Sequence, residues 1–132
     1  MPEPNPPTPS IVLAADDPAG LARFHGALLE AEPLPGWSES HWRVPWPAGG
    51  WLELYAPSRQ RPQPRQQGRL AVSVQRRPGG EALVMLTDWI SAALGLGASL
   101  QLPPRQESFG AEAWMLHPEG NRLLLLVMNR SD

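Results

Sequence analysis

The chain has no cysteine and no lysine among its 132 residues, one tyrosine, two phenylalanines and a formal net charge of only −2. Without cysteine there is no disulfide, no thiolate nucleophile, no Cys-ligated zinc and no iron–sulfur cluster. A Gly-x-Ser-x-Gly elbow is also missing, which leaves no nucleophile constellation to propose. No run approaches the roughly 18 apolar residues of a membrane span. The first residues carry no basic stretch leading into an apolar one, so no export signal is expected and the cytoplasm is the default location. Arg59, Arg61, Arg65, Arg69, Arg76 and Arg77 make a local basic excess. With no interleaved aromatics and no binding motif, they read as a solvated linker rather than a nucleic-acid surface.

What is present is proline, 17 of them, and six tryptophans. The length suits one domain. Residues 1–9 (Met-Pro-Glu-Pro-Asn-Pro-Pro-Thr-Pro) can build neither a helix nor a central strand and are expected to be an extended or disordered arm. Ser10 to Ala15 has strand length, and Asp16-Asp17-Pro18 supplies an acidic N-cap with proline at the first helical position. The helix that follows carries Leu21, Phe24 and Leu28 on one stripe, with Pro33, Pro35 and Gly36 as its stop. A weak strand near 36–39, strands at 41–46 and 51–56, and a polar linker at 58–68 come next. Leu70 to Val74 reads as a strand, and a second helix over 81–95 turns Leu83, Leu86, Ile90 and Ala93 to one side. Ser99 to Leu102 is a further strand, followed by a polar loop from Pro103 to Gly110.

The last stretch is the most informative. Ala113-Trp114-Met115-Leu116 runs into His117-Pro118-Glu119-Gly120-Asn121, and Arg122-Leu123-Leu124-Leu125-Leu126-Val127 follows at once. Proline presets a turn and Gly and Asn tolerate positive φ, so this is a β-hairpin. His117 is expected to cap that turn, and His25 to pack on the first helix or its surface. The halves at 10–57 and 69–128 then repeat one order of elements, strand, helix, strands, with little sequence similarity.

Asp17-Pro18-Ala19-Gly20-Leu21-Ala22-Arg23-Phe24-His25 after a short strand, together with His117-Pro118-Glu119-Gly120-Asn121, resembles the vicinal oxygen chelate superfamily of glyoxalases, extradiol dioxygenases and bleomycin-resistance proteins. The resemblance covers residues 10–128. It implies an α+β fold of two βαβββ modules, 10–57 and 69–128, forming a curved mixed sheet with a central cleft, and a homodimer. It also implies a divalent metal held by His, Glu or Gln on cleft-facing strands. The family's ligand positions fall here on Ser10, Arg69 and Leu124, and only Glu53 matches an acidic ligand. One carboxylate cannot hold a catalytic divalent ion, and Arg69 would oppose one. No metal or other cofactor is therefore expected.

Strand alternation places Trp51, Glu53 and Tyr55 on the cleft side, with Leu52 and Leu54 under a helix. On the neighbouring strand His41 and Arg43 share the cleft side, while Trp42, Val44 and Trp46 point away. Ser10, Val12, Ala14, Arg69, Ala71, Ser73, Leu124 and Leu126 complete the expected floor. Glu53 has three readings: an ion pair with Arg43 or Arg69, a ligand contact, or a metal or acid–base role. Likeness to bleomycin-resistance proteins adds Trp51 and Trp114 as ligand contacts. The favoured function is binding of a partly apolar small molecule with a polar or anionic group through Arg43, Trp51, Glu53, Tyr55, Arg69, Trp114 and His41. Two alternatives stand beside it. One is a metal-dependent lyase or dioxygenase using His41 and Glu53; the other is a degenerate structural or partner-binding module.

Overall fold

The computed structural model describes residues 8–59, 70–77 and 80–129. They fall into two compact units, one within residues 1–65 and the other within 66–132. Most of the expected arm at 1–9 and of the linker at 58–68 lies outside the described residues, as does Arg69. Among the described residues, no helix is long and apolar enough to cross a membrane.

The first unit runs β1 (Ser10–Ala14), α1 (Pro18–Leu29), β2 (Leu34–Pro35), β3 (His41–Pro45) and β4 (Trp51–Tyr55). Its sheet has the order β1-β4-β3-β2, with β1 parallel to β4 and the other pairs antiparallel. The start of α1 is the one the sequence announces. Pro18 opens it, and the Asp17 carboxylate accepts the Gly20 N–H at 3.1 Å, satisfying one of the helix's unpaired donors. Leu21, Ala22, Phe24, His25 and Leu28 are buried, and the helix packs across β3 and β4. Val44, Leu52 and Leu54 on that side of the sheet are fully buried, each contributing about 1.5–3 kcal/mol by leaving water.

Two boundaries differ from expectation. The helix stops at Leu29, before any proline, because Glu30 turns left-handed (φ 56°) and the Ala31 N–H reaches back to the Gly26 carbonyl at 2.8 Å. Residues 36–39 are not a strand. The Gly36 N–H bonds the His41 carbonyl at 2.8 Å and the His41 N–H bonds that of Ser38 at 3.1 Å, so their hydrogen-bonding groups close a tight turn between β2 and β3.

The second unit runs β5 (Val72–Arg76), α2 (Ala82–Gly95), β6 (Ser99–Leu100), β7 (Arg105–Glu107), β8 (Gly110–Leu116) and β9 (Arg122–Met128). Its order is β5-β9-β8-β6, with β7 also paired to β8 and β5 parallel to β9. The expected polar loop at 103–110 therefore contains a strand. Arg105, Gln106 and Glu107 have no hydrophobic alternation, and only their pairing with Glu112, Ala111 and Gly110 makes them a strand. Helix α2 buries Ala82, Leu86, Trp89, Ile90 and Ala93, whereas Leu83 is left exposed. Trp89 takes its place on the stripe, with the Arg76 guanidinium 4.7 Å from its ring. Val72, Leu123, Leu125, Val127, Ala113 and Met115 are buried on the sheet face toward the helix.

The closing hairpin forms as expected. The His117 N–H bonds the Asn121 carbonyl at 2.9 Å and the Gly120 N–H bonds that of His117 at 2.8 Å. His117 Nδ1 accepts the Glu119 N–H at 3.0 Å, so the imidazole does cap the turn. Burial pushes this imidazole below the ordinary histidine value, against the opposing pull of the Glu119 carboxylate.

Two outcomes follow. Asp17→Ala lowers unfolding free energy by about 1 kcal/mol in denaturant titration, through loss of the cap, while Asp17→Asn retains most of it. For His117, both states are neutral above the unfolded value of about 6.5. Below it the unfolded chain binds the proton and the folded one resists, so stability falls as pH drops from there through the lowered folded value. His117→Asn keeps an acceptor for the Glu119 N–H and flattens that acid limb in thermal melts recorded from pH 7.5 to 4.5.

Candidate functional site

The face of the first sheet away from α1 carries a connected polar and aromatic group. Cross-strand partners share a face. Arg43 lies opposite Glu53 and His41 opposite Tyr55, while Ser10, Val12 and Ala14 of β1 lie beside Trp51, Glu53 and Tyr55. The face expected from alternation is therefore the face observed.

Glu53 is the centre of the group, 8% exposed in the middle of β4. Its Oε1 accepts from His41 Nε2 at 2.9 Å and from Arg43 Nε at 2.9 Å, and Oε2 lies 3.2 Å from the same Nε. Of its three sequence readings, the ion pair with Arg43 is present. His41 is as buried as Glu53, and its Nδ1 accepts the Trp37 backbone N–H at 3.0 Å. A nitrogen that accepts carries no proton, so the imidazole proton sits on Nε2 and points at Glu53.

Trp37 extends the group outward. Its indole stacks on His41 with centroids 4.9 Å apart and planes 22° apart, yet the residue is 79% exposed. The Arg43 guanidinium carbon is 5.0 Å from the Trp37 ring centroid and 3.9 Å from that of Trp51. Arg43 thus spends Nε on Glu53 and sets its charge over two indoles. Among the described residues, neither terminal nitrogen of Arg43 has a hydrogen-bond or ion-pair partner.

Sequence reasoning missed two members, Trp37 and Gly36. Trp37 fell in the supposed weak strand, and the Pro35-Gly36-Trp37 run was the available sign that a turn presents it instead. A Cβ at Gly36 would collide with the His41 ring at Nδ1, so only glycine lets the imidazole lie against this backbone. Trp114 belongs to the second unit, where it pairs with Leu124 and has the Arg122 guanidinium 5.3 Å from its ring. Ser73 pairs with Leu124 from the other side. Arg69 lies outside the described residues.

A model of the glyoxalase-like domain matches residues 10–126. The chain belongs to the glyoxalase-like family, within the vicinal oxygen chelate superfamily. Solved structures agree on the fold. A glyoxalase-related enzyme from Fulvimarina pelagi matches with TM-score 0.73 at 15% identity over 89% of this chain and 85% of that one. A glyoxalase/bleomycin resistance protein/dioxygenase family enzyme from Burkholderia phytofirmans PsJN gives 0.72 at 12% over 90% and 96%. Lactoylglutathione lyase from Agrobacterium tumefaciens gives 0.59 at 15% over 94% and 95%. No curated protein matches this chain in sequence. At these identities the likeness of the glyoxalase-like chain to its neighbours is one of fold.

The divalent ion implied by that family has a poor donor set here. Among the described residues no three of His, Cys, Asp and Glu come together to hold one. Glu53 and His41 are the two candidates, and both nitrogens of the ring and the shared carboxylate oxygen are already engaged. An ion at Glu53 would also meet the Arg43 charge at hydrogen-bond range. The residues present do not fit the metal.

Gly36→Ala displaces His41, opens its bonds to Trp37 and Glu53, and lowers stability by about 2–3 kcal/mol, the cost of leaving buried polar groups unpaired. Denaturant titration reads the loss. The indole N–H resonance of Trp37 moving toward its random-coil position checks that the ring is released.

Proposed function

We propose that this glyoxalase-like protein binds a partly apolar small molecule with an anionic group on the face of its first sheet away from α1, and that it does so without the family's metal. One observation carries the reading. Arg43 is held from behind by the buried Glu53, has its guanidinium carbon 3.9 Å from the Trp51 ring centroid, and has two terminal nitrogens with no acceptor among the described residues. The negative end of this pair is buried and the positive end is partly exposed, so the group attracts an anion although the two charges cancel. Guanidinium donors in a fixed fork suit a two-oxygen acceptor, and the flanking indoles suit an apolar body. The engaged state of His41 and Glu53, with Ser10 and Leu124 at two family ligand positions, supports the absence of a catalytic ion.

The test is a calorimetric titration of the purified protein with hexanoate and benzoate against hexanol and benzyl alcohol. The acids bind and the alcohols do not. Arg43→Lys, which keeps a cation beside Glu53 but loses the fork, weakens the acids by about 10–100-fold, the worth of a charge-assisted pair. A stoichiometric divalent ion surviving dialysis and lost in Glu53→Gln would instead favour metal chemistry with atypical ligands.

A further inference from the structure

Trp37 is the most unusual residue of the first unit. A single exposed apolar side chain needs no explanation. This one is fixed in place although most of its surface faces solvent. Its backbone N–H is tied to His41 Nδ1, one ring face lies on the imidazole, and the Arg43 guanidinium sits at 5.0 Å. At 79% exposure most of the residue is left to solvent. The structure therefore anchors an indole on its neighbours and leaves most of its surface unused. An apolar plane left in water buries little surface for folding, whereas a preordered aromatic is what binding of another plane requires.

Arg43 supplies the second half. A carboxylate taking its two terminal nitrogens side by side lies in the guanidinium plane. The guanidinium carbon is already 3.9 Å from the Trp51 ring centroid and 5.0 Å from that of Trp37. A carboxylate conjugated to an aromatic ring is flat with it, so a ring carried on Arg43 brings a planar face within reach of the exposed Trp37 indole. A saturated ring cannot do this, because its puckered carbons hold the neighbouring surface away from stacking distance.

We infer that the ligand of this site is an aryl carboxylate, its carboxylate paired with Arg43 and its ring stacked on Trp37. The inference rests on the anion-binding reading above and narrows it to a class of compound. Trp37 is then the residue that sets specificity, and Gly36 and His41 act through it by positioning its backbone and ring.

Benzoate, cyclohexanecarboxylate and benzamide, titrated into the 15N-labelled protein and followed by amide and indole N–H resonances, separate the possibilities. Benzoate is expected to bind about 10-fold more tightly than cyclohexanecarboxylate, with the Trp37 indole signal moving, and benzamide more weakly than either acid. Trp37→Leu, a change at an exposed ring that leaves the core intact, weakens benzoate by about 3–10-fold, the range of an aromatic pair. It brings the two acids within about 2-fold of each other. If both acids bind equally to the native protein and both are lost in Arg43→Lys, the aryl inference falls while the anion site stands. If benzoate affinity is unchanged in Trp37→Leu, the stacking role falls. If neither acid binds, the anion site falls with it.

Discussion

A buried carboxylate in the middle of a strand organises the first half of this protein. Left alone, Glu53 would carry a desolvation cost of several kcal/mol. It is tolerated because one oxygen receives protons from both a neutral donor and a charged one, His41 and Arg43, on the adjacent strand. Each partner is positioned by that bond and passes the order outward. His41, with Nε2 committed to Glu53, offers Nδ1 to the Trp37 backbone and its ring face to the Trp37 indole. Arg43, with Nε committed, lays its guanidinium against Trp51. The exposed chemistry of the face is thus dictated by a group that is itself hidden.

The same arrangement bears on the family's usual use of its fold. A metal site needs lone pairs that no proton occupies, on ligands held by second-shell partners. Here the Glu53 carboxylate accepts from the N–H groups of a histidine and an arginine. On the proposed reading the scaffold has kept the polar centre of the face and changed what that centre points at, from a cation held inward to a cation presented outward.

The two units share a plan and differ in surface. Each has a parallel pair, β1 with β4 and β5 with β9, one helix, and an apolar sheet face beneath that helix. On the opposite faces the first unit gathers Arg43, Glu53, His41 and two indoles, while the second sets Leu124 between Trp114 and Ser73 and Leu126 between Glu112 and Gln75. Repetition of the fold did not bring repetition of the chemistry. Architecture depends on which positions are apolar toward the helix, and those are conserved in kind between the units. Residues on the other face do not enter that core.

Much of this was legible in one dimension. Asp17-Pro18 announced the helix start, Pro118-Glu119-Gly120-Asn121 the hairpin, and the alternation in Trp51-Leu52-Glu53-Leu54-Tyr55 sorted the faces of β4 correctly, because caps, turns and strand periodicity are local and have strong residue preferences. The placement of β7 was not legible, since Arg105-Gln106-Glu107 is polar throughout and becomes a strand only by bonding to β8. Nor was the role of Trp37. Its neighbours in sequence say only that a turn is near; its stacking on His41 depends on Gly36 leaving room, on the β3–β4 register, and on a carboxylate 16 positions further along the chain. The chain by itself settled the elements, their order and the side of each strand that meets a helix. Tertiary structure alone decided which polar groups share a hydrogen bond, which of the tryptophans stands in water, and that the Arg43 terminal nitrogens have no acceptor among the described residues, because those outcomes depend on distances between residues that sequence spacing does not contain.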